Sequence, residues 1–298
     1  LLISIKLFFK SLKMINVWVT GSEGQLGRKI KNNANLTGIN FLFTTKEKVD
    51  LTIKNQIKSF IKINKINLII NCAAYTDVEG AEQNSNLAYD INSNAVLNLV
   101  EYCKEFDCKL IHFSTDFIFN SDLNKPINEN KIPNPVCVYA KSKYLGERHI
   151  FNSSINSIII RTSWVYSEFG KNFLKTIIKI SREKKNISVV NDQIGTPTYA
   201  DDLAKICILF IRRHQGIKGQ NIFNYSNLGE CSWYDFALEI KKNANLKCNI
   251  KPIKTKDFHS LAKRPKYSVL DKDKIKSELG IKIPFWKDSL KICMNKII

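Results

Sequence analysis

The apolar run Ile15-Asn16-Val17-Trp18-Val19-Thr20 leads straight into Gly21-Ser22-Glu23-Gly24-Gln25-Leu26-Gly27, and this junction limits what the chain can become more than any other stretch. A strand ending in glycines at every third position, followed by a helix from about Gln25, makes a turn that a ligand can approach at the level of the backbone. Gly21 permits the tight turn, Gly24 lets the main chain reach a pyrophosphate, and Gly27 allows the following helix to pack closely. Unpaired amides at the helix start supply donors for phosphate. The spacing differs by one residue from the standard Gly-x-Gly-x-x-Gly dinucleotide turn.

A strand–helix rhythm continues behind the turn. Strands are expected at 40–44, 67–72, 109–114 and 157–161, with helices at 53–63 and 139–151 and one long helix at 82–106. Continuous apolar strands alternating with helices predict an α/β fold, a doubly wound parallel sheet covered on both faces. Beyond Trp164 the rhythm loosens: helices at 172–184 and 201–213, strands at 187–190 and 221–225, then short elements punctuated by Pro252, Pro265 and Pro284. The expected organisation is a nucleotide-binding domain over 14–165, with 198–225 returning to it, and a smaller mixed substrate domain over most of 166–298.

The net charge of +19 raises the question of nucleic acid, but only seven of the 46 basic residues are arginine, and the lysines are scattered through every segment. No basic and aromatic stripe of the kind that reads nucleic acid is visible, so none is expected as a partner; the positive field would still attract an anionic nucleotide. No run of eighteen apolar residues is present, so no membrane-spanning helix is expected. Residues 1–13 alternate apolar and basic and resemble a targeting segment or anchor. Lys6 breaks the run and Met14 stands just before the first strand, which favours an upstream extension or a fragment boundary. Eight cysteines without a Cys-x-x-Cys pair, and four dispersed histidines, argue against zinc and for a reducing cytoplasm.

Among ten tyrosines, Tyr139 alone has a lysine four residues on. On a helix Tyr139 and Lys143 share one face, so the ammonium can favour an ionised phenol and tune it as a general acid. Ser114-Thr115-Asp116 closes the fourth strand at the carboxyl edge, where open α/β sheets bind ligands: Thr115 can donate to a carbonyl and Asp116 can hold a sugar hydroxyl, or either can cap the next loop. After the second strand, Thr44-Thr45-Lys46 lacks an acid and offers a cation, which tilts cofactor choice toward NADPH, with NADH possible. Asp50-Leu51-Thr52 lies where a loop can approach adenine, and Ala73-Ala74-Tyr75-Thr76 ends the third strand with small residues suited to close passage of a cofactor.

These motifs, with Gly146-Glu147, Arg161-Thr-Ser-Trp-Val-Tyr166, Asn191-Asp-Gln-x-Gly-Thr-Pro-Thr198 and Arg264-Pro265, occur in one order from Met14 onward. Together they resemble dTDP-4-dehydrorhamnose reductase, a branch of the extended short-chain dehydrogenase/reductases. The resemblance implies NADPH-dependent reduction of dTDP-4-dehydro-L-rhamnose, with Thr115, Tyr139 and Lys143 catalytic. It further implies Thr115, Asp116, Trp164 and Arg264 as substrate contacts. Gly21, Gly24 to Gly27, Lys46, Asp50 to Thr52, Ala73 to Thr76, Tyr139 and Lys143 would then form the cofactor shell. Asn92 matches an asparagine that supports the lysine through water. Phe117 stands where the branch usually has tyrosine, and Tyr267 where it often has asparagine. Some relatives bind magnesium at a dimer interface through glutamates, one of them at the position of Lys29, so no such metal is expected, while a homodimer remains open. The same motifs admit two alternatives: a reductase of another 4-keto deoxysugar nucleotide, and a non-catalytic regulatory subunit of methionine adenosyltransferase type.

Overall fold

The structure, a computed structural model, describes residues 14–120 and 125–298; the first thirteen residues, read above as an extension, lie outside the described residues. In chain order the main elements are β1 (Ile15–Thr20), α1 (Gln25–Asn32), β2 (Ile39–Phe43), α2 (Lys54–Asn64), β3 (Leu68–Asn71), α3 (Val78–Gln83), α4 (Ser85–Tyr89), a π-helical turn (Asp90–Asn94), α5 (Ala95–Glu105), β4 (Lys109–Thr115), α6 (Val138–Phe151) and β5 (Ser157–Thr162). Then follow β6 (Val165–Tyr166), α7 (Phe173–Glu183), β7 (Asn186–Val190), β8 (Ile194–Gly195), β9 (Thr198–Tyr199), α8 (Ala200–Arg212), β10 (Gln220–Asn224), β11 (Cys231–Ser232), α9 (Trp233–Asn243), β12 (Asn249–Ile253), α10 (Asp273–Leu279) and α11 (Trp286–Met294).

Six strands form one sheet in the order β10-β5-β4-β3-β1-β2, every pairing parallel, as the doubly wound reading requires. Alternate residues of each strand feed two cores. Leu68 and Ile70 join Val17, Val19, Ile111 and Ile160 against Leu203, Cys207 and Ile211 of α8 on one face. Ile69 joins Trp18, Leu110 and Ile159 against Ile57 and Ile61 of α2 and Val96 and Leu99 of α5 on the other. Strand order reverses at β1, which pairs with both β2 and β3, so the chain leaves β1 and β3 in opposite directions and opens a crevice at their carboxyl ends.

One expectation fails. The single helix over 82–106 is three helices and a π turn. Asp77 caps α3, whose Gly80 amide it accepts at 2.9 Å, and the chain stops at Asn84 (φ −127°, ψ 56°) before α4 begins. Pro252 lies inside β12, which pairs in parallel with β7 alone; an edge strand tolerates the missing donor. A third core, built on Tyr166, Tyr199, Phe236, Trp286 and Leu290, holds α7, α9 and α11 together.

Candidate active site

The glycine turn occupies the crevice. Gly21 has φ +59°, and a Cβ there would meet the Ala73 amide nitrogen at 2.7 Å; one on Gly27 would meet the Gly21 carbonyl oxygen at 2.5 Å. Gly24 is the N-cap of α1 and offers no side-chain cap, so the first amides of that helix are left for a ligand. A bare helix start, behind glycines whose side chains would fill the approach, fits the phosphates of a dinucleotide. The Ser22 amide donates to the Thr44 carbonyl, which sets the end of β2 beside the turn.

The residues after β2 make contacts of their own. The Thr44 hydroxyl is taken by the indole of Trp18 at 2.8 Å in the core. Leu51 is buried and its carbonyl accepts from Asn98. Lys46 is exposed, 3.8 Å from Asp50, whose carboxylate is already occupied by the amide and hydroxyl of Thr52. None of Lys46, Asp50, Leu51 and Thr52 lines the main cavity, nor do Gly21, Gly27, Ala73 and Tyr75, whereas Gly24, Gln25, Leu26, Ala74 and Thr76 do.

That cavity, of about 560 Å³, lies at the carboxyl ends of β3, β4 and β5, and Thr115, Asp116, Tyr139, Lys143, Trp164 and Arg264 all face it. The Thr115 hydroxyl contacts the Asp116 carboxylate at 3.2 Å and accepts from the Phe117 amide at 3.1 Å. Burial pushes the Asp116 carboxyl up to about 7 against hydrogen bonds from Ser268 and Thr115, and its Oδ2 has no partner among the described residues. Lys143, one helical turn beyond Tyr139, donates to the Phe113 carbonyl at 2.6 Å, and burial lowers its ammonium to about 8. The phenol of Tyr139 departs from the expectation of a lowered pKa. Burial raises it above the ordinary tyrosine value, with the Thr115 hydroxyl acting in the opposite direction. Phe117, where the resemblance has tyrosine, sets its ring edge-on to Tyr139 at 5.8 Å.

Asn92 joins two segments beside the cavity. Its amide accepts from the Tyr75 backbone nitrogen at 2.9 Å and donates to the Tyr75 carbonyl at 3.0 Å and the Ser142 hydroxyl at 3.1 Å. It therefore clamps the segment after β3 to α6.

On the far wall, Trp164 adopts φ +46°, stacks on Trp233 at 3.5 Å, and lies where a Cβ on Gly195 would meet its ring at 2.7 Å. Arg264 pairs with Glu79 at 2.8 Å, and its buried Nε lacks a partner among the described residues. Tyr267 donates to Glu230 instead of facing the cavity. Lys29, fully buried, is gripped by Glu168 at 2.6 Å and Tyr199 at 3.0 Å; these bonds hold its pKa up although burial opposes its charge. Sequence reasoning missed Trp233 and Asn172, which also line the cavity. The Ser232-x-x-Asp235 capping box was the available signal that a helix begins at Trp233.

Known proteins resemble this chain over nearly its whole described length. The family model described as the RmlD substrate binding domain matches residues 15–298. A dTDP-4-dehydrorhamnose reductase from Aggregatibacter actinomycetemcomitans is 37% identical over 290 residues, covering 93% of this chain and 98% of that protein. Crystal structures of dTDP-4-dehydrorhamnose reductases from Clostridium acetobutylicum (TM-score 0.90, 34% identical) and from Bacillus anthracis in complex with NADP (TM-score 0.89, 35% identical) each cover 95% of this chain and 99% of their own. With the family match running from the first strand to the last residue, and with the glycine turn, the Ser-Thr-Asp strand end and the Tyr-x-x-x-Lys helix meeting at one cavity, the chain belongs to the RmlD substrate binding domain family.

Proposed function

We propose that this protein reduces the 4-keto group of dTDP-4-dehydro-L-rhamnose with NADPH, giving dTDP-L-rhamnose for surface polysaccharide. The observation that carries the reading is the convergence of Thr115, Tyr139 and Lys143 on the cavity that also receives the glycine turn. Bound NADPH supplies the hydride. Tyr139 donates its phenolic proton to the carbonyl oxygen, and Thr115 donates a hydrogen bond to the same atom as charge develops there. Lys143, in its ammonium form, holds the cofactor ribose and favours the ionised phenol left behind.

Asp116 takes a sugar hydroxyl with its unpartnered oxygen, Trp164 packs on the sugar, and Arg264 turns from Glu79 toward the diphosphate. Gly21 to Gly27 and Ala73 to Thr76 hold the cofactor's phosphates and backbone, while Lys46 and Asp50 to Thr52 serve its adenosine end. The reading also puts the reaction in the cytoplasm and allows a homodimer. The regulatory-subunit alternative is not favoured, because the relatives above are named as reductases.

The test is NADPH oxidation with a panel of 4-keto sugar nucleotides, with products identified by NMR. The expected result is the highest kcat/KM with dTDP-4-dehydro-L-rhamnose and a rhamno-configured product. A higher value with another 4-keto deoxysugar reassigns the substrate, and no turnover with any of them refutes the reading.

A further inference from the structure

Three buried polar residues lie side by side across three neighbouring strands of the parallel sheet. The register pairs Thr20 of β1 with Asn71 of β3, and Asn71 with His112 of β4; all three are buried. A polar row inside a parallel sheet is costly unless each member is satisfied, and here the bonds run in one direction. The Thr20 hydroxyl donates to Asn71 Oδ1 at 2.8 Å, and the same oxygen accepts from the Ala73 amide at 3.2 Å.

The Ala73 N–H, which can only donate, is shared with the Thr20 hydroxyl oxygen at 3.3 Å; because Thr20 accepts there, its own proton goes to Asn71, so the Asn71 oxygen is fixed on that side and its Nδ2 faces His112 Nδ1 at 3.1 Å. His112 Nδ1 must then carry a lone pair, and the ring proton sits on Nε2, 3.5 Å from the Nζ of Lys143. The imidazole does not gain a second proton in exchange, because burial and the lysine hold its pKa well below the usual value.

We propose, resting on the reductase reading above, that His112 is a positioning residue for the reduction: Thr20 and Asn71 hold the tautomer that presents Nε2–H to Lys143, and this donor sets the lysine's proton affinity and so the upper pH limit of the reaction. A donor aimed at an ammonium disfavours the charged form, while a neutral amine can accept from it. The effect adds to burial, which already brings Lys143 down to about 8. The other groups acting on the lysine are Glu147 on its own helix, which is paired with Arg161 of β5, and the Cys72 thiol after β3. Tyr139, one turn earlier on the same helix, and Asp116 after β4 line the same cavity. None of these changes in the variants below.

The test compares His112→Leu, which removes the donor, Asn71→Asp, whose carboxylate accepts from Nδ1–H so that the ring proton moves to Nδ1 and the Nε2 lone pair faces Lys143, and His112→Gln, whose amide can offer oxygen to Asn71 and N–H to the lysine. The basic limb of kcat/KM at saturating NADPH is expected to move up by about half a pH unit in His112→Leu. It should move further in Asn71→Asp and stay in place in His112→Gln. Lower turnover in His112→Leu and Asn71→Asp with an unmoved limb, or a downward shift, overturns the proposal and leaves His112 a packing residue.

NADPH binding, followed by nicotinamide fluorescence against pH without any sugar nucleotide, reads the same lysine. If the unmutated protein turns over no substrate, the reductase reading fails, and the proposal stands or falls on whether the binding limb shifts in the same order. If His112→Leu does not fold, Asn71→Asp against His112→Gln gives the same contrast.

Discussion

Burial acts on the groups around the cavity according to the sign of their charge. It neutralises acids by raising their pKa and bases by lowering it, which leaves Asp116 near 7 and Lys143 near 8 and drives the Tyr139 phenol up. For Asp116 the consequence is a pH-dependent penalty on the fold. Its folded pKa lies above the unfolded value of 3.8, so stability present below that value is lost as pH rises toward 7. Asp116→Asn should therefore raise the thermal midpoint of the protein at pH 8 relative to the wild type, with the gap closing as pH falls to 4. Thermal scans at both values check this; a gap independent of pH would mean that Asp116 is ionised without strain. The variant should also lose sugar-nucleotide affinity, since the penalised oxygen is the one assigned to a sugar hydroxyl.

At the scale of elements, the close approach of α6 to the π turn positions Tyr139 and Lys143. A Cβ on Gly146 would collide with the Asn92 carbonyl oxygen, backbone against helix, so α6 packs against Asp90–Asn94 only because position 146 is glycine. Gly146→Ala forces the helix outward, and overpacking of this kind costs about 1–3 kcal/mol. Because α6 carries both reactive groups, kcat should fall with stability although no group that touches substrate has changed. Denaturant unfolding and turnover on the same samples check this, and an unaltered kcat beside a lowered midpoint would separate α6 packing from catalysis.

The tyrosine–lysine face was legible in the sequence because residues four apart must share one side of a helix. The interrupted helices around it were not. Asn84 and the π turn break the run without proline, and the only glycine, Gly80, lies upstream of the expected helix. One extra residue in a turn shifts the helical phase without leaving a compositional mark. Asn92 was noticed, but its use as a clamp on the Tyr75 backbone depends on that shift.

For the whole molecule, the six-stranded sheet could be read from the apolar runs because parallel strands buried on both faces need them. The remainder rests on contacts between distant segments. Trp233 reaches Trp164 only through tertiary packing, and β8, β9 and β11 are two residues each, too short for any period to show. Gln25 illustrates the same limit. Read as a cofactor contact, it also accepts from Ser167 at 2.9 Å and Asn172 at 2.8 Å and so fastens the glycine turn to the segment that follows β6. Lys29 reinforces that seam through Glu168.

The central claim is that this seam, the sheet edge and α6 assemble one reductase site in which Tyr139 supplies the proton. Single-turnover oxidation of bound NADPH by dTDP-4-dehydro-L-rhamnose, in the wild type and in Tyr139→Phe, tests it most directly. The expected result is a loss of about a hundredfold or more in the rate of the chemical step, with NADPH affinity nearly unchanged. A Tyr139→Phe protein that oxidises NADPH at close to the wild-type rate would contradict it.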